Sequence, residues 1–228
     1  FTTAGGAAAN SIARWNGSAW SALGSGMSGT SIGVFALTEL PNGELIAGGN
    51  FTTAGGVAAN RIARWNGSAW SALGIGIGDG FTNALTVLPN GDLVAGGSFT
   101  TAGGVTVYSI TCWNGSAWSA LGGTNGSSLS LAVLPNGDVV AGGFFTMAGG
   151  VAANLIARWD GTTWSSLGSG VAGSSLAVVK ALSVLPNGDL VAGGFFTNAG
   201  GIAMSRIARW NGAAWTALGS GMNNDVNA

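Results

Sequence analysis

The chain has 228 residues, of which 43 are glycine, only 7% are charged and 47% are hydrophobic. Ten tryptophans and nine phenylalanines argue against disorder, because such residues need a core to bury them. Seven basic residues against eight acidic, with no basic run, make nucleic acid a poor partner, and no eighteen-residue apolar run exists to insert in a membrane.

The segment Phe-Thr-Thr-Ala-Gly-Gly opens the chain at Phe1 and returns at Phe51 and Phe99, with one-residue variants at Phe145 and Phe196. The spacings are 50, 48, 46 and 51 residues. A tryptophan pair around Asn-Gly or Asp-Gly follows each copy: Trp15/Trp20, Trp65/Trp70, Trp113/Trp118, Trp159/Trp164 and Trp210/Trp215. A third marker, Leu-Pro-Asn-Gly-acid followed by a short apolar run and Ala-Gly-Gly, starts at Leu40, Leu88, Leu134 and Leu185.

Residues 34–40 are expected to form a first strand, and Asn42-Gly43 a type I′ hairpin turn into a second strand over 44–49. Residues 51–60 are expected to be a Gly/Ala/Thr loop. A third strand over 61–65, a second hairpin at Asn66-Gly67 and a fourth strand over 69–73 complete the unit. Four antiparallel strands in about fifty residues is the pattern of a propeller blade, with the tryptophan pairs as staples between neighbours. The expected fold is therefore all-β: one domain, a five-bladed β-propeller of four-stranded antiparallel blades, with units near 1–33, 34–81, 82–128, 129–175 and 176–228. The first blade is expected to be incomplete. Residues 224–228 read as the opening of a first strand, and the first unit is roughly fourteen residues short of the others. A longer array, the C-terminal stub or another copy of the chain could supply the difference.

The apolar run ending in Gly-Gly, as at Leu93-Val94-Ala95-Gly96-Gly97, followed by aromatics five residues apart, as at Trp113 and Trp118, resembles the kelch repeat. Tryptophan stands where kelch repeats usually carry tyrosine. The Phe-Thr-Thr-Ala-Gly-Gly segment with Ile-Ala-Arg-Trp-Asn-Gly is similar to repeats of large secreted bacterial proteins of unknown function, and the blade count resembles tachylectin-type lectins. These resemblances imply a propeller at the cell surface or outside the cell. They imply no activity, because one fold hosts enzymes, lectins and adaptors.

The polar residues point away from catalysis. Absence of histidine and a single cysteine, Cys112, leave no zinc or copper set and no thiol–imidazole pair, so neither a cofactor nor a metal is expected. The copper chemistry of galactose oxidase, which shares a kelch-type propeller, therefore does not carry over. Glu44, Asp138 and Asp189 each open a second strand, and Arg64, Arg158 and Arg209 follow twenty residues later, so three cross-strand ion pairs are expected. In the third unit Cys112 leaves Asp92 without its arginine. No carboxylate pair suggests glycosidase chemistry; Asp79 and Asp225 are the residual candidates for calcium. The Asn-Gly-Ser sequons at Asn16, Asn66 and Asn114 coincide with turns, where geometry already explains them.

Function is expected on the rim that carries the Phe-Thr-x-Ala-Gly-Gly segments and the variable connections, such as 75–80 and 169–175. The candidate ligand contacts are Asn10, Asn60, Arg61, Tyr108, Asn154 and Arg206. The leading expectation is a non-enzymatic module binding a glycan or a protein. The alternatives are a self-assembling surface or filament component with other copies as partners and, more weakly, an enzyme-associated propeller.

Overall fold

The computed structural model describes residues 1–227; Ala228, the end of the expected C-terminal strand, lies outside the described residues. Among the described residues every element is a strand, and no helix is long and apolar enough to cross a membrane. In the second unit Gly33–Glu39 pairs with Leu45–Asn50, which pairs with Ile62–Trp65, which pairs with Trp70–Ala72, all antiparallel. The same order recurs from Phe81–Val87 to Trp118–Ala120, from Ser127–Val133 to Trp164–Ser166 and from Val178–Val184 to Trp215–Ala217. In the first unit the corresponding sheet is the hairpin of Ala13–Trp15 with Trp20–Ala22. Four large sheets of four strands thus follow the two-stranded Ala13–Ala22 sheet, with smaller two- and three-stranded sheets on the connections, and among the described residues no strand pairing joins the Ala13–Ala22 sheet to the last large one.

The turns correct the expected geometry. Gly43 has φ +83°, but Asn42 is not left-handed, so the turn is not type I′. The Gly43 amide donates to the Leu40 carbonyl and the Leu40 amide to the Glu44 carbonyl, both at 2.9 Å. This is a three-residue hairpin with glycine in the bulge position. Asn66 acts through its side chain: its Oδ1 accepts from the amides of Ser68 (3.0 Å) and Ala69 (2.9 Å). Asp160 substitutes freely there because it offers the same oxygen. The pair with both φ values positive is Gly55 (+60°) and Gly56 (+82°). The segment expected as a loop is thus a hairpin, Thr53–Ala54 with Val57–Ala58, too short to leave an alternating pattern.

The core is divided among sheet interfaces. One cluster joins Ile12 and Leu23 of the first unit to Phe51, Ala63 and Trp70 of the second. The next joins Ile46, Ile62 and Leu73 to Leu93, Phe99 and Trp118, and two more repeat the arrangement down the chain. From the second unit to the fifth, the second tryptophan of the pair closes the interface. Trp70 donates Nε1–H to the Leu23 carbonyl (2.8 Å), Trp118 to Leu73 (3.0 Å), Trp164 to Leu121 and Trp215 to Leu167 (2.9 Å). Gly48 lets neighbouring sheets approach: a Cβ there would lie 2.6 Å from Thr82 Cγ2.

Candidate functional site

The two rims divide the polar residues. On the Asn-Gly rim, Arg64 Nη1 lies 3.4 Å from Glu44 Oε2 and Arg158 Nε 3.4 Å from Asp138 Oδ2, with Arg209 Nη2 on Asp189 Oδ2. Register explains the meetings, since Arg64 sits opposite Ile46 and Trp65 opposite Leu45. The acids are mostly covered while the arginines remain partly open, so these are pairs of small energetic weight. In the third unit Cys112 faces Val94. Burial, reinforced by the nearby Asp92 charge, pushes its thiol up to about 11, which makes it a poor nucleophile.

On the opposite rim, most of the candidate ligand contacts are engaged in holding the connections between sheets. The side-chain amides of Asn10, Asn60 and Asn154 donate to the carbonyls of Ser25 (2.9 Å), Ile75 (3.0 Å) and Ser169 (3.2 Å). The residue after each is left-handed without being glycine: Ser11, Arg61 and Leu155 have φ of 61°, 60° and 62°. That conformation turns Arg61 back over its connection, where it donates to the carbonyls of Gly80 (2.7 Å), Gly78 (3.1 Å) and Ile77 (3.2 Å). Arg206 (φ 63°) does likewise, donating to the Met222 carbonyl (3.3 Å), facing Asp225 and lying over the Phe195 ring.

The acids considered for calcium are occupied as well. Asp79 accepts from the amides of Thr100 (2.8 Å) and Thr101 (3.2 Å) and from the Thr100 hydroxyl (2.8 Å). Burial opposes its ionisation, but these hydrogen bonds and the Arg61 charge outweigh it and hold the carboxyl below its ordinary value. Asp225 faces Lys180 (3.6 Å) and Arg206 (3.7 Å). Among the described residues no group of three acids, histidines or cysteines converges on a point.

Tyr108 is different. It takes the place of Asn60 and Asn154 in the repeat and is 58% exposed. The adjoining connection is short, with five residues between Leu121 and the strand Ser127–Val133. Its Gly123 (φ +68°) fits tightly against the Tyr108 backbone, since a Cβ there would lie 2.7 Å from Tyr108 Cβ and 2.9 Å from its carbonyl oxygen. Tyr108, Gly122, Gly123, Thr124, Asn125 and Met147 line a shallow cleft of about 350 Å³ between the third and fourth sheets. Met147 is 41% exposed at its edge. Thr124 and Asn125 are spent on internal bonds: Thr124 Oγ1 donates to the Gly126 carbonyl (2.7 Å), and Asn125 Oδ1 accepts from the Met147 amide (2.9 Å). The cleft therefore offers an aromatic face, a thioether and glycine backbone, chemistry suited to stacking and backbone hydrogen bonding rather than to acid–base work. Met147 was not among the sequence candidates; its signal was that it replaces Thr53 and Thr101 of the other copies.

Comparison with known proteins places a family match over residues 26–190, to the model described as the Rax2 C-terminal beta propeller domain. The search of curated proteins gives no match. Among solved structures, the extracellular domain of BT4673 from B. thetaiotaomicron is similar over 78% of this chain at 11% identity and TM-score 0.47. YCF48 bound to D1 peptide is similar over 87% of this chain and 57% of its own at 16% identity and TM-score 0.44. A protein of unknown function from Dyadobacter fermentans is similar over 81% of this chain and 67% of its own at 15% identity and TM-score 0.42. The chain spans 21% of the length of the BT4673 domain.

Proposed function

Because the chain belongs to the Rax2 C-terminal β-propeller domain family, we propose that it is a five-bladed, kelch-like binding module, non-enzymatic and extracellular, that takes a glycan or a protein on its loop rim. The observation that carries the reading is the Tyr108 cleft, where an exposed aromatic ring interrupts a rim otherwise occupied by its own hydrogen bonds. Tyr108 makes the direct contact, and Asn10, Asn60, Asn154, Arg61 and Arg206 hold the connections that frame it. An aromatic face with backbone donors suits the apolar face of a sugar ring or a flat protein contact. The test is a glycan array together with a screen of surface proteins, repeated with Tyr108→Ala. Binding lost in the variant at unchanged thermal stability supports the reading, and binding kept in full refutes it.

Self-assembly is the second reading, favoured by a separate observation. Trp15 and Trp20 are 50% and 43% exposed, whereas Trp70, Trp118, Trp164 and Trp215 are at most 5% exposed. At the other end, Gly219 occupies the position of Gly74 and Gly168, which sit against tryptophan rings, but has nothing within 4 Å of its would-be Cβ. A contact between copies would join this tryptophan pair to the open face at Gly219, as Trp70 and Trp65 meet Gly24. Sedimentation across a concentration series tests it: association abolished by Trp20→Ser supports this reading, and a monomer at every concentration refutes it.

A further inference from the structure

Two clefts on the Asn-Gly rim repeat one another. Between the second and third units, Pro41, Arg64, Gly91 and Trp113 line a cleft of about 280 Å³. Between the fourth and fifth, Pro135, Arg158, Gly188 and Trp210 line one of about 270 Å³. These residues hold equivalent places in the repeat. The proline of one turn reaches towards the glycine of the next: Pro41 Cγ lies 3.9 Å from the would-be Cβ of Gly91, and Pro135 Cγ 3.3 Å from that of Gly188. Trp113 sits opposite Leu93 and Trp210 opposite Leu190. Their rings are inclined at 49° and 54° to those of the buried Trp118 and Trp215, and their Cζ3 atoms lie 3.3 Å from the would-be Cβ of Gly74 and of Gly168. Packing on two sides holds both half-buried rings in place.

The polar edge of each cleft keeps hydrogen-bonding capacity in hand. Arg64 Nε donates to the Ser71 hydroxyl (3.4 Å) and Nη1 lies 3.4 Å from Glu44 Oε2, while Nη2 has no hydrogen-bond partner among the described residues. Arg158 approaches Asp138 through Nε, which leaves Nη1 and Nη2 without hydrogen-bond partners among the described residues. Each site thus sets N–H donors beside a carboxylate. An anion would be repelled by the acid and a cation by the guanidinium. Vicinal hydroxyls suit both, accepting from the guanidinium while donating to the carboxylate. The tryptophan supplies the apolar surface on which the C–H face of a pyranose stacks. The interface between the third and fourth units has the same frame without the donor. Pro89 Cγ lies 3.7 Å from the would-be Cβ of Gly137 and Trp159 sits opposite Val139, but Cys112 stands in the place of the arginine.

We propose that these two clefts are saccharide sites, each taking one neutral pyranose ring, with Arg64 and Trp113 as the contacts in one and Arg158 and Trp210 in the other. The interface that carries Cys112 does not bind. The sites lie on the rim opposite Tyr108 and are independent of the loop-rim reading. Two equivalent weak sites on one face favour multivalent glycans over single sugars.

The probes are the methyl glycosides of glucose, galactose, mannose and N-acetylglucosamine, each titrated to about 50 mM against the whole chain carrying 5-fluorotryptophan. The fluorine resonances of Trp113, Trp159 and Trp210 are assigned by replacing each in turn with phenylalanine. The expected result is that at least one glycoside shifts the Trp113 and Trp210 resonances saturably, with dissociation constants of about 1–10 mM, and leaves Trp159 unmoved. Arg64→Gln weakens the binding seen at Trp113 at least about tenfold and leaves that at Trp210 unchanged. The Arg64 side chain is 40% exposed, so the variant retains the fold, which circular dichroism checks. Cys112→Arg restores the residue of the other units, and Trp159 then responds to the same glycoside. No saturable shift at Trp113 or Trp210 with any of the four, an equal shift at Trp159 in the native chain, or an unchanged Trp113 titration in Arg64→Gln each overturns the proposal. Tyr108→Ala leaves the tryptophan shifts unchanged, so the loop-rim reading fails or survives separately.

Discussion

Five near-identical tryptophan hairpins in one chain allow the value of a sheet interface to be measured internally, by comparing Trp118→Ala with Trp20→Ala. Trp118 is 5% exposed, packs in the cluster of Leu73, Leu93 and Phe99, and donates to the Leu73 carbonyl at 3.0 Å. Its removal leaves a cavity and a buried carbonyl without a donor. Buried tryptophan truncations cost about 3–5 kcal/mol, and an orphaned carbonyl adds about 1 kcal/mol or more. Trp20 occupies the same place in its hairpin but is 43% exposed, and its Nε1 has no acceptor among the described residues. At about 25 cal/mol per Å² over roughly half the ring area, its truncation costs about 2–3 kcal/mol. The assay is urea unfolding followed by far-ultraviolet circular dichroism, with m-values required to agree so that midpoints compare directly. The expected gap between the variants is about 2 kcal/mol or more. Equal losses would refute the reasoning, because they would mean that Trp20 is seated in solution as Trp118 is.

Three further outcomes are expected. Gly103→Ala combines a left-handed φ of +59° with a Cβ placed 2.7 Å from Trp118 Cδ1, and should cost about 2–3 kcal/mol in the same assay, whereas Gly104→Ala, with its nearest neighbour at 3.6 Å, should cost only about 1 kcal/mol of backbone strain. The Asp79 carboxyl is depressed in the folded state, so its contribution is present above the unfolded value near 3.9 and is lost as pH falls through the lower folded value; thermal midpoints from pH 7 to 2 should show a flatter acid limb in Asp79→Asn, the residue Asn125 already being an amide in an equivalent role. Cys112, buried and with its thiol raised to about 11, should resist a disulfide reagent at pH 8 in the native protein and react fully in denaturant; rapid native labelling would show that the third interface opens.

The repeats made the strand order legible, because the three markers sit at a strand start, a tryptophan hairpin and a glycine pair whatever the loops between them do. The turn chemistry was misassigned for a physical reason. Asn-Gly satisfies both a type I′ turn and a bulged type I turn, and only the φ of Asn42 separates them. The Gly55-Gly56 hairpin was hidden because two-residue strands carry no periodicity. The arginine–carboxylate meetings could be reasoned from strand direction alone. The roles of Asn60 and Arg61 could not, since their partners are backbone carbonyls of a connection whose path depends on packing. Tyr108 was visible as the single tyrosine and as a break in the repeat. The cleft beside it required knowing that Met147 and the shortened connection lie against the same ring.

That single tyrosine gives the most direct test of the loop-rim account. Incorporating 3-fluorotyrosine yields one fluorine resonance, from Tyr108 alone, which can be followed by ¹⁹F NMR while array-selected glycans or a selected surface protein are titrated in. The account predicts that the resonance shifts and saturates with the same dissociation constant as binding measured by calorimetry. A ligand that binds by calorimetry while the resonance stays unmoved would contradict it and place the binding surface elsewhere on the molecule.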